Sequence, residues 1–163
     1  MAVVIRMIQF LWLLPVTVLF WVFYVLPVWL VFRDVQFVGW YDLFVADFVL
    51  AERDVSRWYV KLWRDWAGWS GPCVMIRRLG SNEDWNRRTQ IHEYTHCLQQ
   101  FRWGVFHAPA YLGVSLWIWV FQRDRHAYHD NPFEREARAA AGQQVDIPRT
   151  QWMHGPADRW PWW

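Results

Sequence analysis

From Met7 to Phe32 the chain carries no charged residue, and that run limits the possible folds more than any other feature. A helix rises 1.5 Å per residue, so a run of this length exceeds the roughly 30 Å hydrocarbon thickness of a bilayer, with some left over for tilt. Trp12, Trp21, Tyr24 and Trp29 make it rich in aromatic rings, while Pro15 and Pro27 should kink it or end its regular part. A cleaved signal peptide would have a shorter apolar core, and no small-x-small pattern follows before Asp34. Enclosure as a core helix is also unfavourable, because a domain this small rarely covers a helix that is apolar all round. The expectation is a retained, single-pass membrane anchor over residues 1–34. Only Arg6 precedes the run, whereas Arg33, Arg53, Arg57, Lys61 and Arg64 follow it, so positive-inside counting puts the larger part in the cytoplasm.

About 130 of the 163 residues remain, enough for one compact domain and too few for two. The expected class is mainly α (α+β): a compact helical domain over residues 35–145 with one or a few short strands, then a loosely ordered, Trp-rich tail over 146–163. Val55, Trp58, Leu62, Trp66 and Trp69 recur at helical spacing and predict an amphipathic helix. Ser70-Gly71-Pro72 reads as a turn, and Cys73 to Arg77 as a strand. Val105 to Phe121 is apolar apart from His107 and a few hydroxyls, with Pro109 and Gly113 inside it. A net charge of +2 with acids and bases intermixed gives no reason to expect a nucleic-acid partner. Cys73 and Cys97 form at most one pair and do not fix the redox compartment.

The chemistry lies in His92-Glu93-Tyr94-Thr95-His96. On a helix, positions i and i+4 share a face, so the two imidazoles can offer nitrogens to one metal ion. Glu93, one residue round, can reach the water in a zinc site's fourth position and carry its proton to a leaving amine. Ser81-Asn82-Glu83-Asp84 looks like a helix start and Gly104 a stop, with no proline or glycine between them. A third ligand must come from elsewhere. Asn131 can cap a helix that begins at Pro132 and carries Glu134 and Glu136 in its early turns. Either acid could ligate, and His129 is a further option. Asn-x-x-Glu is also close to a capping box, which gives Glu134 a purely structural alternative.

With these residues the stretch Ser81–Ala141 resembles the gluzincin group of zinc metallopeptidases, in which a His-Glu-x-x-His helix is followed by a helix bearing Glu-x-x-Ala-Asp. The resemblance implies a zincin-like domain binding Zn2+ through His92, His96 and Glu134, with Glu93 as general base and peptides or proteins as substrates. Arg138 stands where the group has an aspartate that supports a zinc-binding histidine, so the support must come from another residue. The group also holds substrate backbone at a strand edge near the metal, and the strand from Cys73 to Arg77 is the candidate. Tyr128 or His126, just before the second helix, could donate to the oxyanion formed during hydrolysis. There is also a topological condition. If Val105 to Phe121 crossed a bilayer, His92 and His96 would be separated from Glu134, so that segment must pack on the domain, lie along the membrane surface or dip into it. The competing class is a catalytically inactive membrane-associated scaffold that keeps the fold. Zinc hydrolysis of a non-peptide amide or ester is a third reading.

Overall fold

The computed structural model describes residues 2–31, 33–50, 67–80 and 82–148. It is mainly helical with a small sheet. Helix α1 spans Ala2–Phe20 and contains Pro15, then continues as π-helical turns at Trp21–Val25 and Pro27–Val31. Strands β1 (Val35–Trp40), β2 (Ala46–Leu50), β3 (Gly68–Gly71) and β4 (Val74–Arg77) form a sheet in the order β1-β2-β4-β3. The β2–β4 pairing is parallel and the other two are antiparallel. Three helices follow: α2 (Glu83–Trp103), α3 (His107–Phe121) and α4 (Pro132–Ala140), with a 3-10 turn at Gly104–Phe106 between α2 and α3.

The inner strands β2 and β4 are covered on both faces, which hides β2 from a reading of the sequence: all but its last residue are buried, so no polar alternation marks it. Ala46, Phe48, Val74 and Ile76 pack on Val25 and Val28 of the N-terminal helix. Val45, Cys73 and Met75 face the other way, against Leu13, Cys97 and Phe101. On that second face the Arg77 Nη2 donates to Asp47 Oδ2 at 2.8 Å, and Gln90 of α2 donates to the same oxygen at 2.8 Å. The apolar helix expected as a separate anchor therefore contributes to the core, while its other face, including Val4, Ile8, Leu11, Leu19 and Phe23, stays exposed.

The helix carrying the motif begins where its sequence predicts. Asn82 accepts a hydrogen bond from the Trp85 N–H at 2.8 Å, with Glu83 and Asp84 in the first turn. Helix α4 begins on Asn131, whose Oδ1 accepts from the Phe133 N–H at 3.0 Å and whose Pro132 needs no donor partner. The strand read at Cys73 to Arg77 is β4, but it lies inside the sheet between β2 and β3, so its backbone is already paired. The outer strand on that side, among the described residues, is β3. The predicted amphipathic helix over Val55–Trp69 falls outside the described residues up to position 66, and Trp69 itself is in β3. Most of the C-terminal tail, residues 149–163, also falls outside them.

Candidate metal centre

His92 and His96 face one another from successive turns of α2, with Nε2 atoms 3.2 Å apart. Glu134 enters from α4. Its Oε2 stands 3.3 Å from His92 Nε2 and its Oε1 3.3 Å from His96 Nε2. All three residues are buried, and their ligand atoms lie within 4.8 Å of one another, so the group could hold a metal ion. Two nitrogens bound to one ion at about 2.0–2.1 Å stand roughly 3.3 Å apart at a tetrahedral angle, close to the spacing found here. The capping-box alternative for Glu134 is not what forms: the Asn131 N–H goes to the Tyr128 carbonyl at 3.2 Å, and the carboxylate turns to the imidazoles.

The outer partners leave the inner nitrogens bare. Gln99 donates through Nε2 to the Phe133 carbonyl and to Glu136 Oε2, both at 2.9 Å, which fixes its amide orientation. Its Oε1 therefore faces His96 Nδ1 at 2.8 Å and accepts that proton. Gln143 Oε1 does the same for His92 Nδ1 at 3.0 Å. Each ring then turns its Nε2 toward the other ring and a carboxylate, the orientation in which imidazole nitrogens ligate a metal ion. Tyr111 of α3 donates to Glu134 Oε1 at 2.8 Å. Oε2, by contrast, accepts no hydrogen bond although it is buried, which suits it to ligation.

The electrostatics agree. Burial pushes the Glu134 carboxyl up, but the two imidazoles outweigh it and hold that group well below the usual carboxylate range. Burial lowers His96, yet the Glu134 charge and hydrogen bond outweigh it and raise it to about 9. Glu93 is buried beside the cluster rather than in it, and burial raises its carboxyl above the ordinary value against the opposing pull of His92 and His96. The side chain fits only because Gly68 of β3 lacks a Cβ: one added there would fall 2.6 Å from Glu93 Oε1.

Tyr128 also reaches the site. The residue is 41% exposed and its ring lies 5.3 Å from the Arg138 guanidinium, while burial and the Glu134 charge push its hydroxyl well above the usual phenol range. His126 has another role, because its Nδ1 accepts the backbone N–H groups of Tyr128 and His129 at 3.2 and 3.1 Å and so shapes the loop. Of the alternative ligands, Glu136 pairs with Arg102 at 2.9 Å and with Gln99, and His129 Nδ1 meets Arg138 Nη2 at 2.9 Å. Neither joins the cluster. Arg138, standing where the gluzincin pattern has an aspartate, is buried, holds the His129 carbonyl at 2.9 Å and lies 4.0 Å from Glu134 Oε2. The histidine support expected from that position comes instead from Gln99 and Gln143.

Sequence reasoning missed Tyr111, Gln99, Gln143 and Gly68. Gln99 did carry a signal, a polar residue three places after His96 on the same helical face. Gln143 had none, since it reaches His92 only through the reversal that ends α4. There Gly142 adopts φ +63°, its N–H bonds to the Ala139 carbonyl at 3.2 Å, and the Gln143 N–H bonds to the Arg138 carbonyl at 2.9 Å. The chain matches no protein-family model, no curated protein and no solved structure.

Proposed function

We propose that the protein is a membrane-anchored zinc metallopeptidase of gluzincin type, with a zincin-like domain in which His92, His96 and Glu134 hold Zn2+. The observation that carries this reading is the convergence of two Nε2 atoms and one carboxylate at 3.2–3.3 Å, with both Nδ1 atoms committed to glutamine oxygens. Two imidazoles and one carboxylate are a donor set of catalytic zinc sites, which leave the fourth position open. When bound, zinc supplies Lewis-acid polarisation of a scissile carbonyl and brings the pKa of a water near 7.

Glu93 takes the proton of the attacking water and passes it to the leaving nitrogen, and the burial that raises its carboxyl suits a carrier working near neutral pH. Tyr128 is the donor for the oxyanion, held at the site by Arg138. Strand β3, which borders Glu93 through Gly68 and is the outer strand on that side among the described residues, is the strand assigned to pair with an extended peptide. The stretch Val4–Val31 is long and apolar enough to cross a membrane, and the face of it that the sheet and α2 leave open, from Val4 to Phe23, serves as the anchor, with the domain assigned to the cytoplasmic side. A scaffold without catalysis gives no reason to keep an unligated carboxylate buried beside the cluster, where its desolvation is costly.

The test uses full-length protein in detergent, with metal content measured by mass spectrometry and cleavage followed on a peptide library. Stoichiometric zinc that survives Glu93→Gln, together with cleavage that does not, supports the enzyme. Metal-free protein whose binding to partners survives His92→Ala points to the scaffold.

A further inference from the structure

We propose that the outer half of α3, residues 116–121, is a second membrane attachment: it enters one leaflet from the side on which the metal site sits and does not cross. Leu116, Trp117, Val120 and Phe121 are exposed, Trp117 by 56% and Phe121 by 65%, and the Trp117 and Phe121 rings lie tilted against each other with centroids 4.4 Å apart. Of the six residues only Ile118 is covered. Soluble monomers rarely leave an apolar patch of this kind open to water.

The stretch Glu83–Phe121 is long and apolar enough to cross a membrane, but the geometry of its last part favours dipping. The 15 residues of α3 extend only about 22 Å at 1.5 Å per residue, short of the roughly 30 Å hydrocarbon layer. The chain is also brought back early, because Asn131 Nδ2 donates to the Tyr111 carbonyl at 3.1 Å and to Ser115 Oγ at 2.7 Å. Only the six residues beyond Ser115 project past that tie, about 9 Å of helix. That distance matches the 5–10 Å to which interfacial helices sink.

Lipid is the occupant that fits, for two reasons. The apolar surface is continuous with that of the N-terminal helix: a Cβ on Gly104, at the root of α3, would overlap the Trp12 indole, and Trp12, Val105 and Phe106 around that junction are exposed. Beyond Phe121 the character changes at once to Arg123, Asp124 and Arg125, all exposed, which places two guanidinium groups where headgroup phosphates would lie. Held at both α1 and α3, the metal site stands at a fixed height over the bilayer, since Tyr111, which bonds Glu134, is ten residues before Phe121 on the same helix.

The test places nitroxide labels on Leu116→Cys, Val120→Cys, Phe121→Cys and Arg123→Cys in the full-length protein, reconstituted in phosphatidylcholine–phosphatidylglycerol bilayers. The buried native cysteines, checked on the unsubstituted chain, should take no label. Retained metal binding reports an intact fold. Oxygen accessibility above that of a water-soluble nickel complex at 116, 120 and 121, with the reverse at 123, supports the insertion. Nickel access at 120 and 121 overturns it. So does poor access to both relaxers with spin–spin broadening, which would mean that a second copy covers the tip. A depth at 123 beyond the bilayer midplane overturns it too, because α3 would then span.

Discussion

Gln143 Oε1 stands 3.0 Å from Nδ1 of His92, on the side of the ring away from Glu134. The contact brings a residue just past the end of α4 onto a ring in the middle of α2. It leaves His92 only one nitrogen with which to meet an ion.

Removing that contact should weaken the ion's hold without removing a ligand. For Gln143→Leu or Gln99→Leu the expected loss of zinc affinity is about 10- to 100-fold, the usual effect of deleting a histidine's outer partner. Competition against a chromophoric chelator measures it. Unchanged affinity in both variants would mean that the rings are oriented by packing alone.

Glu134 and Glu136 should behave in opposite ways. Glu134→Gln is expected to abolish stoichiometric zinc binding. Glu136→Gln, which disturbs a half-exposed pair with Arg102, should leave metal content unchanged and cost less than about 1 kcal/mol of stability. Metal analysis of the two purified variants separates them, and zinc retained by Glu134→Gln would remove the acid from the ligand set.

Gly68→Ala tests the placement of Glu93. The added Cβ falls 2.6 Å from Glu93 Oε1, so the carboxylate must move while the three ligands do not. Zinc content should persist and turnover on the best peptide from the library should fall at least tenfold, because proton transfer requires hydrogen-bond reach.

The ion pair of Asp47 and Arg77 is buried, with side chains 4% and 9% exposed, and Gln90 joins it to α2. Asp47→Ala leaves a guanidinium without its carboxylate inside the sheet–helix interface and should destabilise by about 3–5 kcal/mol. Replacing both residues with apolar side chains should recover much of that loss. Denaturant unfolding of the single and double variants provides the comparison.

Cys73 provides a pH test away from the metal. Burial pushes its thiol from about 9 up to about 11, against the effect of its hydrogen bond with Thr17 and with a further push from Asp42. A raised acid is worth most to the fold while it stays protonated. Its contribution is therefore complete below about pH 9 and is lost as the pH climbs through about 11. Cys73→Ser should show a shallower loss of stability over that window. At about pH 7.5 this thiol in the native protein should react with a maleimide roughly a hundredfold more slowly than an exposed cysteine, and urea should release both thiols.

The three residues that could hold a metal ion were legible because each sits at a fixed offset from a helix start, Asn82 for the two histidines and Asn131 for the acid. Local rules of capping and helical period therefore place them before any tertiary contact is known. The strands were harder. Ala46–Leu50 has no polar alternation because the N-terminal helix covers one of its faces, and α2 with Leu13 the other, while Val35–Trp40 is largely exposed yet apolar at almost every position. Tyr111 was hidden for a different reason: a phenol in an apolar helix reads as packing until the fold brings Glu134 within 2.8 Å of it. The two glutamines that meet the imidazoles were not legible, and the place of Gln143 depends on where the chain turns after α4.

Val25 and Val28 sit beneath the sheet with essentially no exposure, pressed against Phe48, Val74 and Ile76. The customary route to a water-soluble preparation, deleting the hydrophobic leader and expressing the remainder of the chain, would here remove part of the interior as well. The trimmed polypeptide would present a bare β-sheet underside to the solvent and aggregate through it.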